Sequence, residues 1–315
     1  MDAFTRRDFL AGVGATCAAA AGLQEKPVPA GMVATSQRPA SEAGVAILRE
    51  GGNAADAAVA AAAALALAEP VSTGLGGDMF ALYYDASTRA VTAINGSGRA
   101  PAALTIDLLR REGLDPLPKY HAHTATVPGA CAGWCDLIAR HGTLPLSRIL
   151  APAIRLAEEG FPVGAHSANG WGGGIKQLQA SPAGRELMID GRAPRAGETF
   201  RNPSLARTFK AIAEGGKEAY YRGEIGRAVV QAVRKAGGVM TEEDLAAHES
   251  TWVDPISTTY RGMRVWECPP NGQGITALIA LNLLEGFDLK ALDPLGPERW
   301  HLMIEALRLA FDLRR

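Results

Sequence analysis

The chain has 315 residues, 47% hydrophobic and 21% charged, which suits a globular protein with a sizeable core, built as one large domain or two smaller ones. Its 32 basic and 33 acidic residues nearly cancel to a net charge of -1 and form no block or stripe, so nucleic acid is excluded as an expected partner.

Residues 1–22, "MDAFTRRDFLAGVGATCAAAAG", set the basic pair Arg6-Arg7 ahead of an apolar run of small residues. That is the layout of an export signal of the twin-arginine type, which carries folded proteins. The other reading is a disordered amphipathic tail. The run is too short and too rich in glycine to span a membrane, so no transmembrane segment is expected in the mature chain. The expected location is the periplasm or outside the cell, with residues 23–30 as a linker and 31–315 as the folded domain.

Two helices come next. The first covers about 40–49, with Ala43, Ile47 and Leu48 as its apolar positions and Gly51-Gly52 as its stop. Asn53 caps the second, about 54–68, and Asp56 favours its positive end. This helix is apolar on every side, which calls for burial all round. Met79–Tyr84 and Ala90–Ile94 then flank the turn "DASTR" as a hairpin. The unbroken run "MFALYY" predicts a sheet covered on both faces, and strands among buried helices predict a layered α/β architecture.

Beyond Pro101 the pattern is mostly helical, over 129–142, 145–161 with a restart at Pro152, 223–238, 273–287 and 296–315. Residues 166–187 read as irregular, Thr241 and Asp244 as a helix-capping pair, and 257–269 as a strand pair. In the last helix Trp300, Met303, Ile304, Leu307 and Phe311 recur at helical spacing and demand burial. The chain stops four residues after Phe311, with few strands for its buried helices, and the expectation is an incomplete polypeptide.

Several stretches are candidates for chemistry. "GLGGDMF" follows a helix and opens a strand, the reverse of a dinucleotide-binding loop, and no phosphate-binding GxxxxGK[ST] is present, so no cofactor is expected. Gly74, Gly76 and Gly77 make either a tight structural turn or a backbone-lined pocket wall. In "NGSGRAP", Arg99 can offer its planar fork to a carboxylate, with Asn95 and Ser97 as weaker partners; the alternative is a solvated arginine at a hairpin end. His121 and His123 would share one side of a strand, but no third ligand matches them, and no metal is expected. Cys131 and Cys135 lie four apart on a helix and Cys268 stands alone, so all three read as packing residues; Cys17 lies in the signal.

The order of several longer stretches carries a resemblance. "GMVATSQRPASEAGVAILREGGNAADAAVA", "EPVSTGLGGDMFALYYD", "TVPGACAGW", "HGTLPLSRILAPAIRLAEEGFPV", "AYYRGEIGRAVVQAVRKAGGVMTEEDLAAH", "YRGMRVWECPPNGQG" and "ERWHLMIEALRLAFDLRR" together resemble the large-subunit half of γ-glutamyltransferases. The resemblance runs from Gly31 to the last residue. It implies an αββα sandwich of the N-terminal-nucleophile hydrolase type, here partial and helix-rich. It also implies a precursor that cuts itself in two, and a threonine nucleophile at the new N-terminus of the small subunit. No threonine here has that context, so the expected partner is the small subunit of the same precursor, the expected substrate a γ-glutamyl amide, and the chain alone is expected to be inactive.

The family's carboxylate-reading arginine falls in a segment ending "RExAP", and its position here is Ser97, with Arg99 two residues further on. "NGSGRAP" is similar to the branch that includes the cephalosporin-acylase-like members. The function implied is γ-glutamyl transfer or hydrolysis. The alternatives are an acylase for glutaryl or β-lactam side-chain amides, or a non-catalytic homologue acting as a binding or assembly partner.

Overall fold

The computed structural model describes residues 31–313; the export signal and linker expected over residues 1–30 lie outside them. The chain divides after Met32, and the fold below is that of the unit that starts at Val33, described as far as Leu313.

Asn53 starts the Ala54–Ala68 helix by accepting the amide hydrogens of Ala55 and Asp56, while Asp56 accepts that of Asn53. The Asp56 carboxylate is fully buried and also takes the Thr143 amide at 3.1 Å and its hydroxyl at 2.6 Å. One carboxylate thus fixes both the start of this helix and the turn after the Ala130–His141 helix. Alanines let neighbours approach closely, and the Ala54–Ala68 helix packs against the Arg38–Arg49, Ala130–His141 and Ala151–Glu159 helices. Val59, Leu67, Ile149, Leu150, Trp171, Phe209 and Ile212 fill the core around it.

The strands are β1 (Met79–Asp85), β2 (Ala90–Gly96), β3 (Phe161–Pro162), β4 (Thr199–Phe200), β5 (Thr251–Val253), β6 (Ile256–Tyr260) and β7 (Met263–Glu267). β1 and β2 form the expected antiparallel hairpin, Met79 opposite Gly96 and Asp85 opposite Ala90, and β5 extends it on the β2 side. β3 pairs with β4 and β6 with β7, so the described residues form three small open sheets among helices, a helix-rich α/β architecture. The inner face of the hairpin meets the Ala130–His141 helix: His141 stacks on Tyr83 at 4.1 Å, and Arg140 lies 4.1 Å from the Trp252 ring centroid.

Four expectations change. The sheet is not covered on both faces: Phe80, Leu82 and Tyr84 are 40%, 39% and 59% exposed, while Ile94 on the inner face is fully buried. In the Pro297–Leu313 helix the buried residues are Ala306 and Ala310, whereas Trp300, Ile304, Leu307 and Phe311 are exposed and Met303 is half-buried. Its small side chains, not its large ones, face the core. The stretch read as irregular holds the helices Ala165–Gly173 and Ile175–Ala180, anchored by Trp171, whose indole donates to the Leu187 carbonyl at 2.9 Å. His121 and His123 lie at a 3-10 turn, Ala122–Thr124, and not on a strand.

Candidate functional site

The polar residues expected to carry function lie at the end of β2. Asn95 stands opposite Phe80 and shares the outward face of the hairpin with it. Its side-chain oxygen accepts the Ser97 amide at 2.9 Å and the Ser97 hydroxyl at 2.7 Å. Asn271, on the loop after β7, closes the ring: Asn95 Nδ2 donates to Asn271 Oδ1 at 2.8 Å, and Asn271 Nδ2 donates to Ser97 Oγ at 2.9 Å. Asn271 was not visible as a site residue in the sequence. It sits 174 positions from Ser97, in a "PNGQ" stretch that reads as a turn.

The segment after Ser97 is clamped through its backbone. The Gly98 amide donates to Asp78 Oδ1 at 2.9 Å, and the Val127 amide to the Arg99 carbonyl at 2.9 Å. Here glycine is required. A Cβ on Gly98 would lie 1.5 Å from the Val127 carbonyl oxygen, and one on Gly129 would lie 2.0 Å from that of Gly96. By contrast, a Cβ at Gly74 or Gly76 would meet nothing within 4 Å, and one at Gly77 only the Gly74 carbonyl at 3.5 Å. Close backbone packing thus belongs to Gly98 and Gly129, while Gly74–Gly77 form a tight turn closed by the Gly77 amide bond to the Gly74 carbonyl at 3.1 Å. Gly77 contributes its carbonyl, which accepts the amides of Gly129 and Ala130 at the start of the Ala130–His141 helix, both at 2.9 Å.

Arg99 is exposed and lines a cavity of about 500 Å³ with Val127, Thr241, Asp244, His248 and Glu249. Its guanidinium has no hydrogen-bond or ion-pair partner among the described residues, so Arg99 and the Asn95–Ser97–Asn271 ring are neighbours in sequence but not bonded to one another. Asp244 is already engaged: it takes the amide of Thr241 and that of Ala102. The His248 ring stacks on Tyr221, and burial lowers its pKa below the ordinary imidazole value. Tyr221 in turn donates to the Pro128 carbonyl at 2.7 Å and accepts the Ala132 amide at 3.1 Å.

The remaining candidates have structural surroundings. Cys131 is in the core and Cys135 packs against it. The hydrogen bond between them, with burial adding to it, raises the pKa of Cys131, and the same bond lowers that of Cys135. The Cys268 thiol faces the Ala81 carbonyl at 3.7 Å, and burial pushes its pKa up. His123 is buried and meets Glu112 at 2.8 Å. Among the described residues no group of three or more His, Cys, Asp or Glu could hold a metal ion, and no helix is long and apolar enough to cross a membrane.

Helices layered around open sheets, with polar groups gathered at one end of the first hairpin, make a partial sandwich of the N-terminal-nucleophile hydrolase type. The chain belongs to the gamma-glutamyltranspeptidase family, whose model matches residues 40–315. It is 38% identical over 281 residues to the "Glutathione hydrolase-like YwrD proenzyme" of Bacillus subtilis (strain 168), an alignment covering 89% of this chain and 53% of that protein. The crystal structure of cephalosporin acylase from Bacillus halodurans superposes with a TM-score of 0.79 at 42% identity, covering 91% of this chain and 56% of that one. For Helicobacter pylori gamma-glutamyltranspeptidase the TM-score is 0.84 at 30% identity, covering 91% and 84%. The chain spans about half the length of the curated relatives it matches.

Proposed function

We propose that this chain is the large-subunit part of an exported enzyme that hydrolyses or transfers the γ-glutamyl group of glutathione-like amides. The observation that carries the proposal is the Arg99 guanidinium, which has no partner among the described residues and lines an open cavity at the end of the hairpin in a member of this family. An arginine with no internal partner is available to a substrate carboxylate, and its planar fork matches that group in two hydrogen bonds. Asp78 and Val127 hold the backbone on either side of it.

The nucleophile would be the N-terminal threonine of the small subunit cut from the same precursor. Its hydroxyl attacks the amide carbonyl while its own α-amine takes the proton. The proton passes to the departing amine, and water or an acceptor amine then cleaves the acyl-threonine ester. The chain alone is inactive on this account, because that threonine is supplied from outside it.

A second reading, an acylase for glutaryl or β-lactam side-chain amides, is favoured by Ser97 standing where the family's arginine is expected. The likeness to a cephalosporin acylase at 42% identity supports it as well. The test is to express the complete gene, follow its maturation, and compare release of nitroaniline from γ-glutamyl and glutaryl anilides. Release from neither sinks the proposal, and release from the glutaryl substrate alone selects the second reading. Arg99→Ala is expected to raise KM roughly ten- to hundredfold, the loss of one charge-assisted contact. An unchanged KM removes Arg99 as the carboxylate reader.

A further inference from the structure

The hydrogen-bond directions in the Asn95–Ser97–Asn271 ring are set by a single backbone group. A main-chain amide can only donate, so the Ser97 amide requires Asn95 to turn its oxygen inward. Asn95 Nδ2 then faces Asn271, which must answer with its own oxygen. Asn271 Nδ2 therefore faces Ser97 Oγ, which accepts from it and gives its one proton to Asn95 Oδ1. No other assignment of the two amides satisfies all four bonds.

What is left over follows by counting. Asn95 Oδ1 has both lone pairs in use, and the Ser97 proton is spent. Each asparagine keeps one N–H with no partner among the described residues. Asn271 is exposed and Asn95 half-buried, beside the exposed ring of Phe80 on the outward face of β1 and β2. The ring thus offers two fixed amide donors at the rim of an apolar strip, with no acidic side chain in the ring.

We infer that Asn271, with Asn95, is a specificity-determining residue that reads the oxygen end of the acyl group. The two spare N–H groups take a terminal carboxylate, the strip around Phe80 takes the methylenes, and a terminal ammonium finds no anion in the ring. This rests on the amidase reading above for its substrate. The ring is ordered by its own bonds before ligand arrives, so little side-chain freedom remains to be lost on binding.

Equilibrium binding to the matured full gene product separates the two claims, because it needs no turnover. Two five-carbon probes are compared: glutarate, which ends in carboxylates, and 5-aminopentanamide, which ends in an ammonium and carries no carboxylate. Calorimetry is expected to show a preference for glutarate of about tenfold or more, the size of one charge-assisted contact. Asn271→Asp keeps the shape, removes the donor and adds a negative charge, so it should cut the preference by about tenfold or more. Asn271→Ala should cut it severalfold. Thermal midpoints within about two degrees of wild type check that both variants fold, since Asn271 is exposed. Equal binding of the two probes, binding of neither, or a preference that Asn271→Asp leaves unchanged overturns the inference. Glutarate binding that depends on Asn271, with no anilide cleaved, keeps it and overturns the amidase reading instead.

Discussion

Replacing Gly98 by alanine tests which glycines this hairpin end requires. The new Cβ would lie 1.5 Å from the Val127 carbonyl oxygen and 2.6 Å from its carbon, where ordinary contact begins at 3.4 Å. The obstacle is backbone, so no rotamer change relieves it, and the two segments must part by about 2 Å. Parting them strains or breaks the Val127 amide bond to the Arg99 carbonyl and the Gly98 amide bond to Asp78, both 2.9 Å. Overpacking costs about 1–3 kcal/mol and each lost bond about 1 kcal/mol, so the expected destabilisation is roughly 3–5 kcal/mol. The control is Gly76→Ala, where a Cβ meets nothing within 4 Å and the backbone is not left-handed. It should change stability by less than about 1 kcal/mol, through the unfolded chain. Urea unfolding followed by tryptophan fluorescence reads both. A Gly98→Ala protein within about 1 kcal/mol of wild type, or a Gly76→Ala protein as unstable as it, would refute the packing argument.

Three further outcomes follow from buried and half-buried polar groups. Asp56→Asn turns one acceptor into a donor facing the amides of Asn53 and Thr143, and should cost about 2–4 kcal/mol in urea unfolding. Tyr221→Phe leaves the Pro128 carbonyl and the Ala132 amide without their shared partner, and a loss of about 2 kcal/mol is expected by the same measurement. For His248 the folded pKa is depressed by burial, so the unfolded chain takes up a proton first as pH falls below its ordinary 6.5. Its contribution is constant above that pH and destabilising from there down through the folded pKa. Asp136 and Asp78 oppose the shift, while Lys217 and Arg99 reinforce it. His248→Gln should remove this part of the slope between about pH 7 and pH 5. Stability curves for wild type and variant that stay parallel over that range would exclude it.

Local signals in the sequence located the elements well. Asn53 with Asp56 marks a helix start through short-range bonds, and the structure has that capping box. The turn "DASTR" joins two β-rich runs, and the hairpin forms in the matching register. The failures share a physical cause. Apolar pattern says that a surface resists water, but not what covers it or which of two apolar sets faces the core. In the Pro297–Leu313 helix the alanines allow closer approach than Trp300 or Ile304 would, and Ala306 and Ala310 are the buried positions. "GLGGDMF" drew attention as a glycine cluster, yet a glycine's need depends on what lies beyond its missing side chain. For Gly98 that is Val127, 29 positions away.

The site shows the same limit more sharply. Asn95, Ser97 and Arg99 could be singled out because they lie together in one short stretch, and Asn95 and Ser97 do bond to each other. Their chemistry, however, is fixed by a residue that local sequence cannot connect to them. With Asn271 in place the Ser97 hydroxyl is an acceptor toward that side, its proton held by Asn95. Without Asn271, the same hydroxyl would keep both lone pairs open. A serine in the place where an arginine is expected therefore does not leave an empty position. It anchors two amide groups that each keep one N–H to spare, and on the proposals above these donors and the Arg99 guanidinium, without a partner among the described residues, are two separate contacts for the same kind of charge.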